Sequence, residues 1–268
     1  MIVGFGSAIT GLDGQSLHME NQESDSVGTS RKSSKGKIIA LAVVIVLAVL
    51  ISGVVLSVIK KNEMESRFQA YNNGRSLAGA IQQQHNAYRR LPYNRVDKES
   101  GDLLLSWRLQ LLPYVRAANL ADITNPDVAW DSADHFGGIN ERVEALRSPL
   151  GASAADPVTH FVCVVDPKSP MSFEKMTLEE VENRDGKSNT GLFLEFPNSD
   201  IHWAEPRDIT LAEVIEVIQN SPAPDGTVVS MADGRAIVVP KSATVDDITK
   251  LFLLDNGSPT ADWLTAKR

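Results

Sequence analysis

The sequence predicts an α+β fold: one long N-terminal helix, lipid-embedded over its first half, followed by a domain of strands and short helices. Three observations carry that reading. Residues Ile38 to Ile59 run for 22 positions without a charge. Helical periodicity then continues beyond them into polar sequence. Further on, the apolar period changes to two, and Asp233-Gly234 falls between two apolar runs.

The uncharged run comes first. A helix of that length reaches ~33 Å at ~1.5 Å per residue, enough to cross a hydrocarbon core of ~30 Å. A single apolar segment in lipid must be helical, because only a helix satisfies its own backbone there. Lys35 and Lys37 precede the run, and Lys60 and Lys61 follow it. The apolar region of a cleaved signal peptide spans only ~7–15 residues and ends at a small-x-small site. This run is longer and leaves through Lys60-Lys61-Asn62-Glu63, so a retained anchor is expected. Basic residues are balanced on the two sides, with Arg31, Lys32, Lys35 and Lys37 before and Lys60, Lys61, Arg67 and Arg75 after, so the positive-inside rule sets no orientation.

Residues 1–37 are rich in Gly, Ser, Asn, Gln and acids, the composition of a disordered polar tail. Met19 opens a stretch that would itself serve as a cytoplasmic leader, so a start at Met19 is a second expectation. After the span, Met64, Phe68, Tyr71, Ala78, Ile81, His85 and Tyr88 recur at helical steps, with Glu63, Arg67, Asn73, Gln82 and Gln84 opposite. The reading is one helix from about Ile38 to Arg90, stopped by Leu91-Pro92 because a residue before proline avoids the helical region. Gly74 and Gly79 either weaken this helix or mark close packing.

Leu103 to Val115 is expected to be helical on both sides of Pro113, Thr124 to Asp134 a loop with Trp130 buried, and Ile139 to Leu146 a short helix. Strands are expected over His160–Val165, Gly191–Phe196 and Thr227–Met231, with a short extended piece at Ile201-His202-Trp203. Asp233-Gly234 is expected to form a two-residue hairpin turn into Arg235–Val239, ended by Pro240. Thr210 and Thr244 are expected to cap helices over 210–219 and 244–254, the first through a capping box with Glu213. No repeat or linker divides residues 60–268, which read as one domain.

The net charge of −8 excludes nucleic acid as a partner, since its phosphates need a basic surface. The single cysteine, Cys163, sits in an apolar run, reads as a buried inert thiol and forms no intrachain disulfide. Glu195, Asp200, His202, Glu205 and Asp208 form the densest polar cluster, but Asn198-Ser199-Asp200 reads as a turn, and no metal is assigned. Gly186-Lys187-Ser188 lacks the earlier glycine of a phosphate loop and reads as a turn entering a strand. Neither Gly-x-Ser-x-Gly nor His-Glu-x-x-His occurs, and His18, His85, His135, His160 and His202 show no ligand spacing. His85 reads as a core histidine with one hydrogen bond, and Trp107, Trp130, Trp203 and Trp263 as core aromatics. No catalytic, cofactor-binding or metal-binding residue is assigned, and no cofactor is expected.

Six segments, taken in order, resemble one family: NNGRSLAGAIQQQHNAYRRLPY (72–93), SWRLQLLPYV (106–115), AWDSAD (129–134), NRDGKSNTGLFLEF (183–196), HWAEPRDI (202–209) and SMADGRAIVV (230–239). Together they resemble the bacterial family called domain of unknown function 1559, whose members look like type IV pilins or secretion pseudopilins. The resemblance spans roughly residues 38–265. It implies a pilin-like fold, with the half-membranous N-terminal helix packed on an antiparallel sheet. It also implies an extracytoplasmic location for the domain, and it transfers no activity. Pilin-like precursors are cleaved after a glycine preceded by basic residues, with a glutamate five positions beyond. Here Gly36 follows Lys35 and the fifth residue beyond is Leu41, which favours a permanent anchor over processing and fibre assembly.

The domain reading is therefore a tail over 1–37, a transmembrane helix over 38–59 and an extracytoplasmic pilin-like α+β domain over 60–268. The expected function is that of a single-pass membrane protein acting as a structural or surface component, not an enzyme. Its expected partners are the lipid bilayer and other envelope or pilus-like proteins, with no nucleic acid. A ligand-binding or sensing module is the second reading, and a tethered hydrolase using Glu195, Asp200 and His202 the third.

Overall fold

The first helix is a single element, α1 (Ser34–Tyr88), 55 residues long. It belongs to a computed structural model that describes residues 34–135, 137, 139–151, 157–172 and 175–264. The expected tail, together with His18 and Met19, lies outside the described residues except for 34–37, which are already helical. The chain divides into two units, Met1–Val55 and Leu56–Arg268. In the first unit, every side chain from Lys35 to Val55 is exposed, including Ile39, Leu41, Val44, Leu50 and Ile51.

In the second unit, two short strands, β1 (Arg95–Val96) and β2 (Leu103–Leu105), pair antiparallel. The main sheet is antiparallel, with β3 (Phe161–Cys163), β4 (Gly191–Glu195), β5 (Thr227–Met231) and β6 (Ala236–Val239) side by side in that order. The remaining helices are α2 (Ala118–Ile123), α3 (Leu178–Arg184), α4 (Leu211–Gln219) and α5 (Val245–Phe252). This is the α+β arrangement of a long helix packed on an antiparallel sheet.

The sheet is covered on both faces. Phe161, Cys163 and Phe193 pack with Leu77, Ile81, Leu111 and Leu112 on one face. Val162, Leu194, Val229, Met231, Ile237 and Val239 pack on the other with Val214 and Ile218 of α4 and Ile248, Leu251 and Phe252 of α5. Alternate residues of β3 and β5 therefore enter different cores, and none of β4, β5 or β6 reaches solvent. That double burial is why the adjacent Val228 and Val229, which point to opposite faces, are both apolar.

Helix α1 runs along β5. Arg67 Nη2 donates to Gly226 O at 3.0 Å, Ser230 Oγ donates to Gly74 O at 2.7 Å, and Gln82 Nε2 donates to Ala232 O at 2.7 Å. From Arg67 to Gln82 the helix advances ~22 Å. From Gly226 to Ala232 the strand advances ~20 Å. The matched rises let helix and strand keep register over three polar contacts. Over Ala70–His85 the buried face is made of Ala70, Gly74, Leu77, Ala78, Ala80, Ile81, Gln84 and His85. A methyl at Gly74 would stand 2.7 Å from Val228 Cγ1, so the glycine sets how closely the helix approaches.

The expected apolar stripe is therefore rotated. Ala78, Ile81 and His85 face inward as read, but Met64, Phe68 and Tyr88 are exposed. Arg67, Gln82 and Gln84, placed on the outer side by pattern, turn inward. Small residues and polar side chains that reach sheet carbonyls form the contact face, so size and hydrophobicity marked the wrong edge of it.

Other elements differ for local reasons. Leu103–Leu105 pairs as β2, and only Trp107–Tyr114 coils, as a 3₁₀ helix capped by Ser106. Pro113 lies inside it and cannot supply an amide, which removes one bond an α-helix would need. In the stretch 139–146 only Glu144–Leu146 forms a turn of 3₁₀ helix. The Glu141 carbonyl there accepts from the distant Trp203 Nε1 at 2.8 Å. The β5–β6 connection has three residues, Ala232–Gly234, rather than two: Met231 N donates to Arg235 O at 2.9 Å and Gly234 takes φ +89°. Asp233 does not adopt the positive φ that the two-residue turn requires, so the glycine alone supplies it.

Both threonine-capped helices form, and Thr210–Glu213 makes the full capping box. Thr177–Glu180 makes the same box at the start of α3, which the periodicity did not mark. Because Gly74 faces Val228 and Gly79 faces open space, substitutions at the two should have opposite signs. Gly74→Val should lower the stability of the second unit by about 1–3 kcal/mol. Gly79→Ala should raise it by about 0.5–1 kcal/mol. Urea unfolding midpoints of the full chain in detergent give both values.

Candidate functional site: two buried arginine clasps and an open cleft

The polar cluster read from sequence is split between different partners. Glu195, at the end of β4, is buried and receives Arg67 Nη1 at 3.0 Å. The hydroxyl of Ser148 donates to its other oxygen, and Val228 N lies 3.4 Å from Oε2. Arg67 also donates through Nε to Asp225 Oδ1 at 2.9 Å, so one guanidinium from α1 joins β4 to the Asp225-Gly226 turn.

Asp208 belongs to a second clasp, within the core. It accepts from Arg108 Nη2, from Trp107 Nε1 at 2.9 Å and from Cys163 N at 2.9 Å. Arg108 is fully buried; its Nε donates to Phe161 O at 3.0 Å and its Nη1 to Ser106 Oγ at 2.8 Å. Its guanidinium also lies 4.7 Å from the Trp107 ring centre, and that ring stacks on Phe193 at 5.4 Å. A planar guanidinium suits such a crowded site because each of its three nitrogens finds a fixed acceptor.

Asp200 is exposed and meets Arg207 at 3.1 Å, while Glu205 meets the same arginine at 2.7 Å. The Glu205 hydrogen bond holds the Arg207 guanidinium above its ordinary pKa. His202 stacks between Trp130 and Trp203, with ring centres 5.1 and 5.7 Å away. Its burial there pushes its pKa down. The structure therefore does not bring Glu195, Asp200 and His202 to one point. Among the described residues, no three His, Cys, Asp or Glu side chains form a metal-ligand group.

The other singled-out residues fall as follows. Cys163 is buried on β3, where burial and then the Asp208 carboxylate push its thiol well above the usual range. His85 Nε2 accepts from Leu178 N at 3.1 Å, at the first turn of α3. Gly186 takes φ +86° and its carbonyl accepts from Thr190 Oγ1 at 3.0 Å, so the Gly-Lys-Ser triplet is a turn into β4. Trp107 and Trp203 are core residues, and Trp130 and Trp263 are half-buried.

Pattern reading did not single out Arg67 or Arg108 as functional or structural centres. Arginine within an apolar segment, as in Ser106-Trp107-Arg108-Leu109, was the available signal, because a buried guanidinium requires a carboxylate nearby.

A cleft of about 640 Å³ lies between the β1–β2 hairpin and the end of β3. Tyr93, Arg95, Val96, Leu103, Val165 and Met171 line it. Val96, Leu103 and Val165 are exposed apolar residues.

Removing one member of a buried ion pair leaves an uncompensated charge in the core. Arg108→Leu should therefore cost about 3–5 kcal/mol, more than the isosteric loss of packing alone. Adding Asp208→Asn to that variant should recover part of the loss, which a double-mutant cycle of unfolding midpoints will read.

No curated protein and no solved structure matches the chain. One family model does, described as "Protein of unknown function (DUF1559)", over residues 66–208. The match begins next to Arg67 and ends on Asp208, so it takes in both arginine clasps except for the Asp225-Gly226 turn. It covers more than half of the chain, and the protein is a member of the DUF1559 family.

Proposed function

We propose that this DUF1559 protein is a single-pass, membrane-anchored structural or surface component whose second unit is extracytoplasmic and pilin-like and catalyses no reaction. The observation that carries the proposal is α1 itself. Ile38–Ile59 is uncharged and exposed throughout, while one face of Ala70–His85 in the same helix is buried among the core residues of the second unit. In water, a helix showing Ile, Leu and Val on every side would forgo roughly 1.5–3 kcal/mol for each large apolar side chain left uncovered. A bilayer covers them all, and the helix satisfies its own backbone while doing so.

The non-catalytic reading is supported by how the polar groups are used. Glu195, Asp200, Glu205 and Asp208 each hold an arginine of the chain itself. Ser148 donates to Glu195 rather than to His160, so serine, histidine and carboxylate do not form a nucleophile–base pair. The partners in this reading are the bilayer and other envelope or pilus-like proteins, and the acidic chain has no affinity for nucleic acid.

The cleft beside the β1–β2 hairpin favours a second reading, an extracytoplasmic ligand-binding or sensing module. Its volume falls within the range of small-molecule sites, roughly 300–1,000 Å³.

Three measurements check these readings. Carbonate washing of membranes should leave the full chain in the pellet, and shaving of intact cells with protease should release peptides from the second unit only. Recovery of the chain in the carbonate supernatant would overturn the anchor, and protection of the second unit in intact cells would overturn its placement. For the cleft, a panel of calcium, glycans and small organic anions should shift the melting temperature of the chain if it binds solutes. A flat response across the panel leaves the structural reading in place.

A further inference from the structure

One buried titratable group stands outside both clasps yet touches one of them. His160 immediately precedes β3, and its backbone is held on both sides: its N–H donates to Leu146 O and its carbonyl accepts from Phe196 N, each at 2.7 Å. The ring is buried. Its Nδ1 accepts from Ser148 N at 2.9 Å, and its Nε2 is buried without a hydrogen-bond partner. Gly151 lies flat against the ring, where a methyl group would come within 1.8 Å of Cε1. Ser148, whose amide the ring holds, donates its hydroxyl to Glu195, and Glu195 in turn holds Arg67 of α1.

We propose that His160 is an acid-responsive latch: protonating its ring withdraws the acceptor that holds Ser148 and so loosens the Ser148–Glu195–Arg67 clasp that seats α1 on the sheet. A proton on Nδ1 faces the Ser148 amide, a donor against a donor. The nearest acceptor left to it is Ser148 O at 3.3 Å, a longer bond that does nothing for the amide. The backbone at 160 is fixed by two ladder-like bonds, so the ring cannot draw back from Ser148 and Gly151, which crowd it from one turn. Relief therefore comes through movement of the 148–151 turn, which carries the Ser148 hydroxyl away from Glu195.

The charges facing the ring work in the same direction. Arg147 and Arg142, from the segment before the turn, repel a cationic ring; Glu195 of β4 is the opposing charge and is already engaged by Arg67 of α1. Burial first, and then the two arginines, hold the ring's pKa down at about 4. Because the folded value lies below the ordinary 6.5, the latch is fully closed above pH 6.5 and opens as pH falls toward 4. The inference concerns the second unit alone and stands whether or not α1 enters a bilayer.

The test uses the full chain in detergent. Histidine ring resonances should place the His160 midpoint at about 4. The opening constant for amide exchange at Ser148 and Val228 should rise about tenfold per pH unit below 6.5, level off near 4, and rise together at both sites. His160→Asn, which offers an oxygen near the Nδ1 position without titrating, should abolish that slope. A ring midpoint near 6.5, protection unchanged down to pH 4, or the same slope in His160→Asn would each overturn the proposal. Should His160→Asn fail to fold, the ring midpoint and the exchange profile of the unaltered chain decide the matter.

Discussion

The second unit depends on how closely α1 lies against β5. A helix normally rides on a sheet at the height of its largest contact side chains, but Gly74 removes that height where Val228 stands beneath it. Once the helix is that close, its polar side chains become long enough to reach strand carbonyls, and Arg67 and Gln82 do so at the two ends of the contact. The matched advance of helix and strand then keeps every level in register. Phe161 and Phe193 fill the space beside the helix, and α4 and α5 close the opposite face.

Both arginines, Arg108 buried and Arg67 partly so, serve placement more than cohesion. Exchanging a buried ion pair for apolar residues is often neutral or stabilising, so such pairs are poor sources of net stability. Their value lies in direction: a guanidinium has fixed donor vectors, and each wrong packing leaves one unsatisfied. Arg108 ties the 3₁₀ segment to β3 and to Asp208, just before the loop that bridges onto Val164. Arg67 ties α1 to β4 and to the Asp225-Gly226 turn ahead of β5. Between them the two residues reach the long helix, β3, β4 and the approaches to α4 and β5.

Much of this was legible from sequence, for identifiable reasons. The strands at 161–163, 191–195 and 227–231 and the two threonine-capped helices announce themselves through β-branched runs and capping chemistry, both of which are local. The hairpin was visible in Asp233-Gly234, but the number of residues in its turn depends on which φ values the strands impose. The contact face of α1 was misjudged because the signal used was side-chain size, whereas close approach selects for small residues. The Glu195–Asp208 cluster, dense in sequence and assigned no role from it, has its members turned to different partners. Glu195 ends a strand and Asp208 lies in a loop, and the two answer to arginines 41 positions apart. Long-range pairing of that kind leaves no periodicity to read.

Cys163 has a practical consequence. The chain carries one sulfur of this type, enclosed by β3 and its neighbours and kept in its protonated form. The folded surface is thus silent toward maleimides and methanethiosulfonates. A single cysteine introduced at Met64, Tyr88 or Val245 would take up a spin label or fluorophore alone, with no need to delete the native one first. By the same logic, oxidation cannot staple neighbouring folded copies together through a disulfide.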